Sequence, residues 1–139
     1  LSAWSWVVGV GLLAGCLPVP LPPHDLGPAP DRAAASALQV GVSTRADVLL
    51  TLGEPRYRIE GDRFLMYEWD VAYGYLVVGG PQAAYPVPVV APHYLCFEFG
   101  ADGRLVRRST LSGSIFGKAD EAIGECMHPL GTPDATDGE

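Results

Sequence analysis

Basic residues are scarce in this chain. Its 139 residues include nine Lys and Arg against 16 Asp and Glu, which gives a formal net charge of −7. Binding to nucleic acid depends on cationic side chains that neutralise phosphates, so this balance argues against a nucleic-acid partner. It also argues against attachment to anionic lipid through a polybasic segment. The length suits one domain with a hydrophobic core and not two.

The uncharged run of residues 7–17 is too short to cross a bilayer as a helix, because a spanning helix needs about 20 apolar residues. Prolines follow the run at positions 18, 20, 22 and 23 and would break a helix. The run is therefore predicted to be a removable export signal rather than a membrane helix.

Recognisable catalytic and metal-binding motifs are also missing. The three histidines fall in a linker, at the start of a strand and in the tail, and no pair has the spacing of helical metal ligands. The chain has no Gly-x-Ser-x-Gly elbow and no phosphate-binding glycine loop followed by lysine. An enzyme is the disfavoured alternative, and it would need Glu68, Asp70, His93 and Glu98 to meet across neighbouring strands. We therefore expect no catalytic residues, no cofactor and no metal.

The apolar run ends in the pattern Leu13-Ala14-Gly15-Cys16. An aliphatic residue, two small residues and a cysteine resemble the lipobox that a bacterial lipoprotein signal peptidase cuts. On this interpretation residues 1–15 are a lipoprotein signal peptide, and Cys16 carries acyl chains such as palmitate. Two or more chains hold a protein to a bilayer far more firmly than one. The alternative is an ordinary secretory signal.

Two segments after Cys16 have clear local preferences. Residues 16–30 are rich in proline and predict a disordered, semi-extended tether. Residues 31–38 are rich in alanine and predict a helix. A second helix is predicted to begin at Thr44, which with Asp47 approximates a capping box, and to end near Gly53.

Alternation of apolar and polar residues predicts antiparallel strands after the helices. They cover residues 56–60, 63–73, 93–99 and 104–110. Two N-terminal helices packed on one face of a small antiparallel sheet make an α+β two-layer sandwich, which is the predicted fold class. The domain is expected to span residues 31–113, and residues 114–139 are expected to be a partly disordered C-terminal extension.

Residues 74–92 contain no charged side chain and interrupt the predicted sheet. Gly79-Gly80-Pro81 is the predicted tip of a long hairpin, and the prolines that follow argue against a central strand. Such a segment packs on its own domain or is offered to another molecule. Aromatic side chains mark interfaces, so contact with a partner is predicted at Tyr73, Tyr75 and Tyr85. The edge of the sheet is the alternative contact.

The chain has three cysteines, and lipidation of Cys16 leaves Cys96 and Cys126. Export would place these two in an oxidising compartment, where a disulfide can form. The alternative is two separate thiols, and the sequence leaves both open.

The helix and turn of residues 41–55 resemble the SmpA/OmlA family of outer-membrane lipoproteins. The residues that carry the resemblance are Gly41-Val42-Ser43-Thr44-Arg45-Ala46-Asp47-Val48, Leu52-Gly53-Glu54-Pro55, Met66-Tyr67-Glu68-Trp69 and Phe99-Gly100-Ala101-Asp102-Gly103-Arg104-Leu105. The resemblance covers about residues 31–112, together with the lipobox. It implies two helices on a three-stranded antiparallel sheet behind a flexible, lipidated N-terminus. The interval from Gly41 to Val48 is one residue longer than in the family's barrel-assembly member, and residues 74–92 are an insertion relative to that member.

The expected function is that of a non-enzymatic binding or scaffold module in envelope assembly. The family includes a lipoprotein of the barrel-assembly machinery, so an envelope protein is the expected partner, together with the membrane that holds the anchor. Leu17 stands where Asp would favour the inner membrane, so the periplasmic side of the outer membrane is predicted. The alternative is an inhibitor or small-ligand-binding lipoprotein of the periplasm.

Overall fold

The computed structural model describes residues 15–80 and 82–129, and within them five strands form one antiparallel sheet accompanied by three short helices. The predicted signal peptide, apart from Gly15, and the tail after Pro129 lie outside the described residues. The elements are β1 Gly15–Leu26, α1 Arg32–Ala37, α2 Arg45–Leu52, β2 Tyr57–Ile59, β3 Phe64–Gly80, β4 Ala83–Phe99, β5 Leu105–Ser112 and α3 Ala119–Met127.

The long hairpin of β3 and β4 is the centre of the sheet. The strand order is β1-β3-β4-β5, and β2 pairs with the beginning of β3. Strand β4 follows β3 from Phe64 opposite Glu98 to Gly80 opposite Ala83. Strand β5 pairs only with residues 93–99 of β4. The far half of the hairpin therefore has β1 as its one additional strand.

The predicted fold class was wrong. Strands hold 52% of the described residues and helices 20%, and the sheet curls into a half-barrel with a few short helices instead of being a small sheet with two helices packed on it. The error has a physical cause in the proline-rich segments. Residues 15–26, which include most of the predicted tether, form β1 and pair with β3, and residues 74–92 lengthen β3 and β4.

Prolines fit these strands because of where their nitrogens lie. Proline has no amide hydrogen, so it is accepted at strand positions whose amide points away from the neighbouring strand. Pro18 and Pro20 alternate along β1, and Pro86 and Pro88 alternate along the part of β4 that β5 does not cover. Residues two positions apart in a strand direct their backbone nitrogens to the same edge. Pro18 and Pro20 therefore both direct their nitrogens to the outer edge of β1, and Pro86 and Pro88 both direct theirs to the outer edge of β4.

Both faces of the near half of the sheet are buried. Phe64, Leu65, Met66 and Tyr67 are four consecutive buried residues of β3, and their side chains alternate between the faces. On the first face, called here the helix face, the core contains Ala35, Leu38, Val48, Leu65, Tyr67, Trp69, Val71, Leu95, Phe97, Phe99 and Leu105. On the opposite face, called the α3 face, it contains Phe64, Met66, Tyr94, Cys96, Ala122 and Cys126.

Helix α2 begins with a complete capping box. The Thr44 hydroxyl accepts a hydrogen bond from the Asp47 amide at 3.3 Å, and the Asp47 carboxylate accepts one from the Thr44 amide at 2.7 Å. The Thr44 hydroxyl also donates a hydrogen bond to the Asp47 carboxylate at 2.8 Å. The bonds that the Thr44 amide and hydroxyl donate to this carboxylate lower the pKa of Asp47, and the amide contributes more. The helix places Val48 fully in the helix-face core.

Replacing Thr44 by alanine is expected to lower the free energy of unfolding by about 1 kcal/mol at about pH 7. Because the folded pKa of Asp47 is lowered, its contribution is complete above the ordinary pKa of aspartate and is lost as the pH falls through the folded value. The difference in free energy of unfolding between the unchanged protein and Thr44→Ala should therefore become smaller as the pH falls. Urea unfolding across this pH range measures both effects. Thr51→Ala, at an exposed position of the same helix, is the control and should change stability by less than about 0.5 kcal/mol.

Candidate functional site

The far half of the sheet differs from the rest of the molecule in lacking charge. We call residues 15–24 of β1, 73–80 of β3 and 83–90 of β4 the apolar ribbon. The ribbon contains no Asp, Glu, Lys or Arg. All of the charged side chains that the structure describes therefore belong to the body of the protein or to the junction with it.

The apolar ribbon is also exposed. The last buried side chain of β3 is that of Ala72, and the first buried side chain of β4 is that of Ala91. Between these two residues, Gly74 is buried and the other described residues are exposed or half-buried. Every residue of β1 is exposed. The large apolar side chains that the ribbon leaves at least one-third exposed are Leu17, Val19, Leu21, Tyr73, Tyr75, Val78, Tyr85 and Val87. A patch of this kind marks a surface that contacts another molecule.

Cys16 lies at the free end of the apolar ribbon. It is opposite Val78 in the register of β1 and β3, close to the turn that joins β3 to β4. It is exposed and is the one cysteine with a free thiol among the described residues. Leu13 and Ala14, which complete the predicted lipobox, lie outside the described residues.

The three tyrosines predicted to contact a partner do not form one surface. Tyr73 lies at a bulge between β3 and β4 and contacts His93, on the helix face. Tyr85 shares that face, but it lies opposite Val78, five residues and about 17 Å further along the ribbon. Tyr75 is opposite Pro88 and therefore lies on the α3 face. A single flat partner cannot contact all three.

Gly74 allows the ribbon to form at this bulge. Its φ of 141° lies in a region that side chains disfavour, and a β-carbon there would collide with the carbonyl oxygen of Val19 in β1. The register of β1 shifts at the same place, between Pro20 and His24. The bulge therefore marks the boundary between the body and the ribbon.

An aromatic cluster around His93 was not predicted from the sequence. The His93 Nε2 atom lies 2.8 Å from the Tyr73 hydroxyl, and the Ser112 hydroxyl lies 3.4 Å from Nδ1. The His93 ring also packs beside the Trp69 ring, with 5.7 Å between their centroids. These residues meet through the β-bulge and the pairing of β4 with β5, which sequence spacing alone does not reveal. The cluster connects β3, β4 and β5 at the junction between body and ribbon.

The carboxylates considered for an enzyme lie apart from His93. Glu68 and Glu98 pair with Tyr94 and Phe64 and therefore lie on the α3 face, whereas His93 shares the helix face with Leu95 and Phe97. Glu98 is occupied by ion pairs with Arg107 at 2.9 Å and Arg63 at 3.2 Å. Among the described residues no group of His, Cys, Asp and Glu is arranged to hold a metal ion.

A cleft of about 560 Å³ opens beside the end of β1, along the edge of β3. Tyr67 and Trp69 contribute to its wall, and the charged residues that line it are Glu54, Arg56, Glu68 and Asp70. The Tyr67 hydroxyl donates a hydrogen bond to the Gly53 carbonyl at 2.8 Å, and burial raises its pKa to about 12. That tyrosine therefore stays protonated and fixes the end of α2.

Cys96 and Cys126 are joined by a disulfide that attaches α3 to β4. Both cysteines are buried in the core of the α3 face. Arg107 of β5 also donates a hydrogen bond to the Cys126 carbonyl at 2.6 Å. Helix α3, which lies within the predicted C-terminal extension, is therefore fixed to the sheet.

No helix in the part of the chain that the structure describes is long and apolar enough to cross a membrane. No protein-family model, curated protein or solved structure matches the chain.

Proposed function

We propose that this protein is a lipoprotein, held on the periplasmic side of the outer membrane by acyl chains on Cys16, and that it serves there as a non-enzymatic binding module for an envelope protein. The observation that carries the proposal is the sequence Leu13-Ala14-Gly15-Cys16 together with the position of Cys16. Acyl chains on this exposed residue would leave both cores undisturbed.

The disulfide supports export. Disulfides persist in oxidising compartments and are rare where thiols are kept reduced. The bond between Cys96 and Cys126 leaves Cys16 as the single cysteine available for modification. A lipidated, exported chain requires one free cysteine for the acyl chains and no other unpaired thiol, and these three cysteines meet that requirement.

A binding role is supported by the surface and by the proposed anchor. An anchor raises the local concentration of the module near a partner in the same membrane, so weak contacts suffice. The proposed relationship to the SmpA/OmlA family has its support in residues 41–55, which contain the capping box of α2 and Gly53 at its end. A partner in an envelope assembly is the part of the proposal that depends on this relationship.

Changing Cys16 to serine is expected to abolish acylation. Intact-mass spectrometry of the unchanged protein should show a chain that begins at Cys16 and carries acyl chains, and the protein should partition into a detergent phase. Cys16→Ser should lower the ratio of detergent-phase to aqueous-phase protein at least about tenfold, because each buried CH₂ group contributes about 0.8 kcal/mol.

Val106→Ser is the matched control, since it alters an exposed apolar residue outside the apolar ribbon and leaves the cysteine in place. It should keep the acyl mass. An unchanged chain whose mass shows an unmodified Cys16 would overturn the anchor. Affinity purification from detergent-solubilised envelopes tests the binding role, which would be refuted if the acylated protein retained no envelope protein after cross-linking.

A further inference from the structure

We propose that the apolar ribbon is a second membrane contact, which lies in the lipid interface beside Cys16 with its free end, at Gly80 and Ala83, directed towards the hydrocarbon. The orientation rests on the proposed lipidation of Cys16. The affinity of the ribbon for lipid rests on its own surface and can be measured without the anchor.

Charge separates the ribbon sharply from the body. The first charged residues at its base are Asp25 and Asp70, and Asp25 forms an ion pair with Arg32 at 2.9 Å. Beyond this level the three strands present only apolar groups, tyrosines and His24. A protein with a net charge of −7 would gain nothing from anionic lipid, so an uncharged element is the means by which it can approach a bilayer.

Both faces of the ribbon are apolar and open. Tyr85 and Val87 lie on the helix face, and Leu17 and Val19 lie on the α3 face. Leu17 is 64% exposed and Tyr85 is 67% exposed. A protein partner seated on one face would leave the other in water, whereas a lipid interface surrounds both. This is why we favour lipid as the occupant.

The outer edges of the ribbon suit the same environment. Unpaired backbone donors are costly in an apolar medium. Pro18 and Pro20 on one edge, and Pro86 and Pro88 on the other, remove amide donors from positions that face outwards. The carbonyl oxygens at these positions remain and need water or head groups, so the ribbon is placed in the interface and not across the hydrocarbon. The prolines also prevent another strand from extending the sheet.

The anchor and the ribbon point to the same end of the molecule. Cys16 lies opposite Val78, two residues before the end of β3. An acylated residue lies at the head-group level, so only the last residues of β3 and the first of β4 extend past it. Tyr85, which is level with Cys16, then lies at the head groups, where tyrosine is enriched, and Tyr73 and Tyr75 lie further towards water.

Position-specific quenching tests the contact in the acylated protein. A fluorophore attached through Tyr85→Cys, in vesicles of phosphatidylcholine that contain quencher-labelled lipid, should be quenched at least about threefold more than one attached through Val106→Cys. Val106 is 51% exposed on β5, outside the ribbon. Equal quenching at the two positions would overturn the proposal.

Binding without the anchor provides a second measurement. The chain that begins at residue 16, with Cys16→Ser, should still float with phosphatidylcholine vesicles. Leu17→Glu with Val87→Glu, one change on each face, should reduce the floated fraction at least about tenfold. Val106→Glu with Phe116→Glu adds the same charge at exposed apolar positions outside the ribbon and should have no effect. Circular dichroism identifies any variant that fails to fold.

The outcomes separate the two proposals. An unmodified Cys16 with retained vesicle binding would refute the anchor and leave the ribbon contact standing. If acylation is normal and the fraction that floats with vesicles is the same for Leu17→Glu with Val87→Glu as for Val106→Glu with Phe116→Glu, the ribbon contact is refuted and the anchor stands. If Leu17→Glu with Val87→Glu instead converts a dimer to a monomer and no form of the Cys16→Ser chain binds vesicles, the ribbon is an interface between two copies and the lipid proposal fails.

Discussion

Replacing Phe97 by alanine is expected to lower the free energy of unfolding by about 3–5 kcal/mol, which is a large part of the stability of a small domain. The side chain is fully buried in the helix-face core, and its ring meets the Tyr67 ring edge to face at 5.9 Å. The substitution leaves a cavity between the sheet and the helices, and the curled sheet cannot collapse to fill it. Urea unfolding followed by circular dichroism measures the loss.

Val106→Ala is the control for this substitution. Val106 lies on β5 and is 51% exposed, so little apolar contact is lost, and the change should stay within about 0.5 kcal/mol. A loss at Phe97 of less than about 1 kcal/mol would show that the helices do not pack on this face as described.

Removing the disulfide is expected to cost about 3–4 kcal/mol. The bond closes a loop between residues 30 positions apart, and a link of that span restricts the unfolded chain by about this amount in the chain-entropy model. The variant for the test is Cys96→Ala with Cys126→Ala, which avoids placing unpaired polar groups in the core of the α3 face. Its unfolding should be compared with that of the oxidised protein.

Reductant provides the internal control. It should destabilise the unchanged protein by an amount close to that seen in the double variant, and it should leave the double variant unaffected. Limited proteolysis should then cut near α3 first, because this helix contacts the sheet through few other residues. Equal stability of the oxidised protein and the double variant would show that α3 holds its position without the bond.

Local signals in the sequence were sufficient where a short segment determines its own structure. The capping box at Thr44 and the end of α2 at Gly53 depend on neighbouring residues, and the structure contains both. The common face of Leu95, Phe97 and Phe99 follows from alternation along one strand, and all three are in one core. These features require no knowledge of distant contacts.

The fold class was missed because it depends on pairing between distant segments. Prolines in residues 16–30 are typical of a spacer when that segment is considered alone. They suit a strand only if it lies at the edge of a sheet, and the partner of β1 is more than 40 residues away in β3. The mistake therefore concerned which strand lies beside which, and it could not be detected locally.

The sequence pointed to the two segments that meet in the candidate site. The lipobox-like pattern pointed to Cys16, whose lipidation stays a prediction, and the absence of charge pointed to residues 74–92. The sequence did not reveal that these two segments pair, or that Cys16 ends opposite Val78. The bulge at Tyr73 also shifts the alternation of β3, which is why Tyr73 and Tyr75 lie on opposite faces despite their even spacing.

The two halves of the β3–β4 hairpin should differ in their tolerance of insertions and deletions. In the near half, β3 has buried side chains on both faces of the sheet. A shift of one residue in the pairing there would move the side chains of each core to the opposite face. Beyond Gly74 both rows are apolar, and their side chains are exposed or half-buried. Adding or removing two residues on each strand keeps Pro86 and Pro88 on the outer edge, so we expect the far half to tolerate length changes in steps of two that the near half would not.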